Sequence, residues 1–141
     1  MADILRFSGG TPLPLGGTIS PLATNFTLNG STDTIEWITQ MPEAATITNA
    51  GFRYGVRTGT PPTYRISIQS VVDGRASGTI LGGASPASVT FTPPADATWN
   101  STWQWQVLTN SIALTRGQLI AIVIDYSVGT IDGTNNSSFT T

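Results

Sequence analysis

The side chains in this chain that suit acid or base chemistry are carboxylates, because its 141 residues include no His, no Cys and no Lys. Glycosidases use two carboxylates on either side of a sugar bond, and such a pair meets in space rather than in sequence. A glycosidase therefore stays open as an alternative. Nothing in the spacing marks two carboxylates as partners, and four of them lie in turn-like contexts, where Asp favours the local backbone. We therefore predict no catalytic residue and no enzymatic activity. The four are Asp33, Asp73, Asp96 and Asp132.

Asp125 differs from the other carboxylates because it closes a strongly apolar segment. One interpretation is a carboxylate at a strand end that faces solvent or pairs with an Arg. The other is a calcium ligand acting with Asp132 and the Asn135–Asn136 pair. Calcium takes six to eight oxygen ligands, and the spaced Asp loop that usually supplies them is missing here. We predict no metal site and no cofactor.

Tryptophan is the other residue type that suggests a site. Trp103 and Trp105 alternate with Gln104 and Gln106, so the two indoles share one strand face. Because Trp buries a large area, we predict that this face packs in the core. The alternative is a sugar-binding surface formed by Trp99, Asn100 and Trp103, in which exposed rings stack on the sugar and the amide binds hydroxyl groups.

The charged residues are few, and the formal net charge is −2. Six scattered Arg do not form the basic patch of a nucleic-acid-binding protein. The longest apolar run, Leu119 to Ile124, is far shorter than the roughly 20 residues that span a bilayer, so we expect no membrane partner. Arg53, Arg57 and Arg65 are predicted on polar strand faces. They are either solvated or pair with carboxylates across a contact between subunits.

Apolar residues recur with a period of two from Asp33 onward, which predicts strands with one buried face. Clusters of Gly, Pro, Asn and Asp separate these segments and predict turns at residues 49–51, 58–62, 73–74, 82–83, 93–94, 116–117 and 132–133. The segment 119–126 is apolar on both faces, which predicts a central strand covered on both sides or one whose outer face meets a partner. The predicted strands cover residues 34–41, 52–57, 64–69, 88–92, 103–107 and 119–126.

These patterns predict an all-β fold, an antiparallel β-sandwich or jelly roll with an irregular N-terminal arm. Residues 1–32 are rich in Gly, Pro, Thr and Ser and form the arm, and residues 33–141 form the sandwich domain. The arm is either a loose tail or a segment that docks on a neighbouring subunit. In the second case its apolar residues make the contact: Leu5, Phe7, Leu13 and Leu15.

Five segments of the chain, spread over residues 45–131, resemble a β-sandwich module of tailed-phage virion proteins, which also occurs in looser form in bacterial extracellular proteins. They are 52–55, 58–69, 73–82, 105–108 and 114–124. The chain departs from that module at 75–77, where a Pro is common, and at Ile120, where an aromatic residue is common.

The resemblance implies a non-enzymatic structural protein of a bacteriophage virion, either a capsid decoration (cement) protein or a head or tail fibre domain. Its implied partners are capsid or fibre subunits, and we expect a homotrimer. Arg53 and Arg57 join the arm residues as expected contacts with these partners. The alternative is a module that binds a carbohydrate or a host receptor.

Overall fold

The computed structural model describes residues 4–8, 25–94, 98–99 and 101–140. This described part of the chain consists of strands, turns and loops, with no helix. Its ten strands, in chain order, are β1 (Ile4–Ser8), β2 (Asn25–Leu28), β3 (Thr34–Gln40), β4 (Ala45–Thr58), β5 (Thr63–Val72), β6 (Arg75–Ile80), β7 (Ser88–Phe91), β8 (Trp103–Leu114), β9 (Leu119–Val128) and β10 (Asn136–Thr140).

The strands form two sheets that pack face to face. The six-stranded sheet has the order β1-β3-β9-β5-β6, and β7 also pairs with β5. The four-stranded sheet has the order β2-β10-β4-β8. All pairings are antiparallel except that of β1 with β3, which is parallel. The predicted all-β sandwich is therefore confirmed.

Aromatic side chains from both sheets fill the core between them. Phe52 of β4 stacks on Phe91 of β7 with ring centroids 4.7 Å apart. Phe139 of β10 meets Tyr54 and Tyr64 edge to face, at 5.6 Å and 5.3 Å. In this geometry the positive edge of one ring lies against the negative face of its neighbour, which is an attractive arrangement. Because these contacts join β10 and β4 of one sheet to β5 and β7 of the other, they fix how the two sheets face each other.

Strand β9 is the central strand that the sequence predicted. It lies between β3 and β5 and is buried on both faces. Ile120 and Ile124 belong to the core between the sheets. Ala121 and Val123 alternate with them and are also buried, at 0% and 2% exposure, on the outer side of the sheet. Both faces of β9 are therefore apolar because both are buried.

Most predicted turns connect strands, but one does not. Asp73 and Gly74 form a two-residue turn between β5 and β6, with φ of 52° and 73°. Positive φ at both central residues is what a tight type I′ hairpin requires, and Asp-Gly suits it. The turn predicted at residues 49–51 was wrong, because these residues lie inside β4. Just before these residues, the register of β4 against β8 shifts between Ile47 and Asn49.

Two strands lie within residues 1–32, which were predicted to form an irregular arm. The five residues of β1 pair in parallel with β3, from Ile4 opposite Thr34 to Ser8 opposite Ile38. The four residues of β2 pair with β10, and Leu28 is 2% exposed in the core. Short apolar clusters between Gly- and Pro-rich stretches thus contribute an edge strand to each sheet. The boundary at residue 32 stays a prediction.

Candidate functional site

The prediction that Trp103 and Trp105 pack in the core was wrong. The two side chains are 61% and 66% exposed, and Val107, two residues further along β8, is 67% exposed. We call these three residues the Trp stripe. Large apolar side chains that are exposed and contiguous often mark an interaction surface.

The later half of β8 explains why the Trp stripe faces outward. Leu108 and Leu114 are buried in the core, and Ile112 packs against it. Since alternate residues of a strand point to opposite faces, these even-numbered residues turn the odd-numbered ones outward. Gln104 and Gln106 therefore lie half-buried on the inner face. Alternation predicted the strand correctly, but the wrong face was assigned to the core.

The neighbouring strand provides room for the two indoles. Their ring centroids are 6.0 Å apart and the ring planes differ by 19°, so the rings are stacked. Gly51 of β4 lies opposite Trp105. A Cβ atom at residue 51 would lie 2.6 Å from Cε3 of the Trp105 ring, which is inside van der Waals contact. Glycine at this position lets the indole lie against the sheet. Neither Gly51 nor Val107 was predicted as part of a site.

The residues of the predicted sugar site do not form one surface. Trp99 packs against the core, and its ring is 6.3 Å from Phe52 and 6.1 Å from Phe91. The Trp103 ring lies on the outside of the four-stranded sheet. Asn100 lies outside the described residues. The exposed aromatic surface is therefore formed by Trp103 with Trp105, and Trp99 has a role in packing.

Arg53 and Arg57 lie on opposite faces of β4, although the sequence pattern placed them on the same face. Arg53 is opposite Trp103 and half-buried, at the border of the Trp stripe. Between Tyr54 and Arg57 the register against β10 shifts by one residue. This bulge turns Arg57 toward the inner side, where its Nη1 donates to the carbonyl of Pro94 at 3.3 Å. It also leaves Val56 48% exposed, although alternation predicted it beside Phe52 and Tyr54.

Arg65 pairs with Asp125 of the neighbouring strand, as one interpretation of that carboxylate predicted. Arg65 Nε donates to Asp125 Oδ1 at 3.0 Å, and Nη2 donates to Oδ2. The hydrogen bond to Asp125 raises the pKa of the guanidinium further above its usual value. The pair joins β5 to β9 within one chain.

Asp132 organises the loop before β10. Its Oδ1 accepts hydrogen bonds from the amide and hydroxyl of Thr134, both at 2.7 Å, and from the amide of Asn135 at 2.8 Å. The Thr134 side-chain hydrogen bond, followed by the others, lowers the pKa of this carboxyl. Asp132 thus serves the loop and Asp125 serves Arg65, so the structure does not combine them as calcium ligands. In the described part of the chain, no three acidic side chains cluster closely enough to hold a metal ion.

The proposed arm contacts are described only in part. Leu5 and Phe7 belong to β1, where the backbone register places them opposite Ile35 and Trp37. Leu13 and Leu15 lie outside the described residues.

Comparison with known proteins adds no family to this geometry. No protein-family model matches the chain, and no curated protein matches it. Within the described residues, there is no helix that is long and apolar enough to cross a membrane.

Proposed function

We propose that this chain is a non-enzymatic structural protein of a tailed-phage virion that acts by binding neighbouring subunits. It decorates the capsid or forms part of a head or tail fibre. The observation that carries the binding role is the Trp stripe, a contiguous apolar surface on the outside of the four-stranded sheet. The place in a virion comes from the resemblance of residues 45–131 to the phage module.

The composition of the Trp stripe supports a protein partner. The residues that contribute most of the binding free energy at protein interfaces are often Trp and Arg, and they lie near the centre of the contact. Here two stacked indoles lie beside the half-buried Arg53, and Thr109 and Ser111 continue the exposed face of β8 beyond Val107. Truncating one such Trp typically costs about 2 kcal/mol or more of binding free energy.

The N-terminal arm supplies a second proposed contact. Leu5, Phe7, Leu13 and Leu15 would bury apolar area against a capsid or fibre subunit. This contact is separate in sequence from the Trp stripe, so each is tested by its own variant.

The experiment uses phage particles made by a host in which the chain carries an affinity tag at its C terminus. Electron microscopy with gold-labelled antibody should find the tag on intact particles. The Trp105→Ser variant should reduce incorporation at least about 30-fold, which corresponds to 2 kcal/mol. Val128→Ser is the matched control, since Val128 is 62% exposed on β9 and away from the stripe. Unlabelled particles would contradict the proposal.

Carbohydrate binding is the second candidate, favoured by the exposed indoles of Trp103 and Trp105. Because the two rings stack on each other, one face of each is occupied and less ring surface is open to a sugar. A glycan array separates the two functions. A sugar signal that disappears in Trp105→Ser, while particle incorporation persists, would favour the carbohydrate function.

A further inference from the structure

Strand β8 has one edge without a hydrogen-bonded neighbour strand among the described residues. It pairs with β4, and it ends the order of the four-stranded sheet. The unpaired backbone groups of an edge strand can pair with another chain, so proteins usually protect such edges with charged residues, Pro, bulges or short length.

The other sheet edges have this protection, and the first five residues of β8 do not, because the register shift of β8 against β4 begins only after Val107. β1, β2 and β7 have only five, four and four residues. β6 contains Arg75 and Gly78, and its register against β5 is shifted between Gln69 and Val71. β8 is 12 residues long, with no charged residue, no Pro and no Gly. Its exposed side chains include two Trp.

Among the residues that the structure describes, the first five of β8 are the accessible part of this edge. Further along, the Asn110 side chain donates to the Pro86 carbonyl at 3.3 Å, so the segment before β7 lies beside that half of the strand. In the described part of the chain, no side-chain hydrogen bond joins residues 103–107 to another segment beside this edge. This stretch also contains the whole Trp stripe.

We propose that two copies of this chain pair through β8 in an antiparallel, two-fold symmetric contact centred on Trp105. This contact deepens the proposed function and rests on its assumption that the chain binds neighbouring subunits. The sequence Trp-Gln-Trp-Gln-Val is complementary to itself in this register. Trp105 then lies opposite its own copy, Trp103 opposite Val107 and Gln104 opposite Gln106.

Each of these pairings is chemically favourable. Aromatic and β-branched residues directly opposite each other are among the stabilising cross-strand pairs. The Gln side chains carry both donors and acceptors, so two of them can bond to one another. Because the stretch has no charge, the two-fold axis brings no like charges together. The contact joins two four-stranded sheets into one of eight strands. A two-fold contact of this kind gives dimers, whereas the resemblance leads us to expect a homotrimer.

The test is the mass of the full-length chain in solution, measured by light scattering over a range of concentrations. The wild type should be a dimer. Trp105→Lys and Trp105→Glu each place like charges opposite each other at the axis, and each should raise the dissociation constant at least about 30-fold. Mixing the two variants should restore a dimer, because Lys then lies opposite Glu.

Thr39→Lys and Thr39→Glu are the matched controls, since Thr39 is exposed on β3 of the other sheet. They should leave the dimer unchanged, and circular dichroism should show that all variants keep the fold. A monomeric or trimeric wild type, or a Lys–Glu mixture that stays monomeric, would overturn the contact. Particle incorporation tests the proposed function separately. A monomer that still needs Trp105 for incorporation would refute only the dimer, and a dimer absent from particles would refute only the proposed function.

Discussion

Two tyrosine hydroxyls lie in the core, and they differ in their partners. The Tyr54 hydroxyl is 2.7 Å from the Ser137 hydroxyl of β10. The Tyr64 side chain is fully buried, and its hydroxyl lies near Ser137, whose hydroxyl is engaged with Tyr54, without the geometry of a hydrogen bond to it. A buried polar group without a partner costs about 1–3 kcal/mol, because it has lost its water and gained nothing in exchange.

We therefore expect the two Tyr→Phe substitutions to have opposite signs. Tyr64→Phe removes an unsatisfied hydroxyl and should raise the free energy of unfolding by about 1 kcal/mol. Tyr54→Phe leaves Ser137 without its partner and should lower it by about 1 kcal/mol. Urea unfolding at pH 7 measures both, and each variant is the control for the other. Equal losses in the two variants would contradict this account.

The same burial predicts a loss of stability at alkaline pH. Burial raises the pKa of Tyr64 from 10.0 to about 12, because the phenolate would have to form without water. The folded chain therefore keeps this proton where the unfolded chain loses it. The stability it contributes is complete below pH 10 and is lost as the pH rises from 10 to 12. Two pKa units correspond to at most about 2.7 kcal/mol.

Urea unfolding from pH 9 to pH 12 tests this prediction. Tyr64→Phe should lose less stability over that range than the wild type. A smaller loss should remain in the variant, because burial also raises the pKa of Tyr54. Identical pH profiles for the two proteins would show that Tyr64 does not control the alkaline transition.

Gly51 controls the position of the Trp105 ring. Gly51→Ala places a Cβ atom 2.6 Å from the ring, and an exposed side chain can move away. We expect the indole stack to break and its near-ultraviolet circular dichroism to weaken, while the unfolding free energy changes by less than about 1 kcal/mol. Gly133→Ala, with nothing within 4 Å of its added Cβ, is the control. An unchanged spectrum in Gly51→Ala would contradict this role.

Among the elements, the sequence predicted the strands better than their orientation. Alternation identified β3, β5, β7 and β8 because a period of two comes directly from strand geometry, whereas β9 was identified by its continuous apolar run. It did not identify the buried face of β8, since that depends on which residues the opposite sheet accepts. Leu108 and Leu114 decide it, and they lie outside the segment that alternation marked. The bulge in β4 was not predicted for a similar reason, because it arises from the pairing of β4 with β10, which is distant in sequence.

The outer face of β9 is sealed in part by a contact from β6. Glu36 of β3 is 7% exposed, and its Oε2 accepts the backbone N–H of Ala76 at 3.2 Å. Gln69 Oε1 accepts the N–H of Gly78 at 3.0 Å. These two side chains bind the backbone of β6 where its ladder with β5 is irregular.

We expect Glu36 to stabilise the position of β6 through the hydrogen bond to its carboxylate oxygen rather than through the volume of its side chain. Glu36→Ala removes the acceptor and should lower the unfolding free energy by about 1.5–3 kcal/mol, the range for a hydrogen bond to a charged group. Amide hydrogen exchange at Ala76 should become faster. Glu36→Gln keeps a carbonyl oxygen and should show a smaller effect on both measurements. Equal exchange rates at Ala76 in the two variants would rule out the hydrogen bond as the cause.

At the scale of the whole molecule, the sandwich depends on strands that are distant in sequence. β10, close to the end of the chain, lies between β2 and β4, and Phe139 contacts aromatic rings of both sheets. The sequence predicted a sandwich from its short strands and turns, but it could not place β10 or β2. Their few residues carry little periodicity, and their position follows from pairing.

The last prediction concerns where the arm ends and the folded domain begins. A chain that starts at residue 25 loses β1 and keeps β2. It should fold, because β1 is a five-residue edge strand that pairs with β3 alone. A chain that starts at residue 33 also loses β2, and with it Leu28, which is 2% exposed in the core. It also loses Gly30, whose backbone N–H donates to the Asp33 carboxylate at 2.8 Å and so stabilises the turn between β2 and β3.

Removing a buried Leu side chain costs about 2–5 kcal/mol, a large share of the 5–15 kcal/mol that holds a typical domain together. We therefore expect thermal unfolding to be cooperative for the chain starting at residue 25 and lost or strongly shifted for the chain starting at residue 33. Leu28→Ala in the full-length chain should reproduce part of that loss, which separates side-chain burial from the effect of a new terminus. If both truncated chains unfold at the same temperature, β2 belongs to the arm. The domain then begins at residue 33, as composition alone indicated.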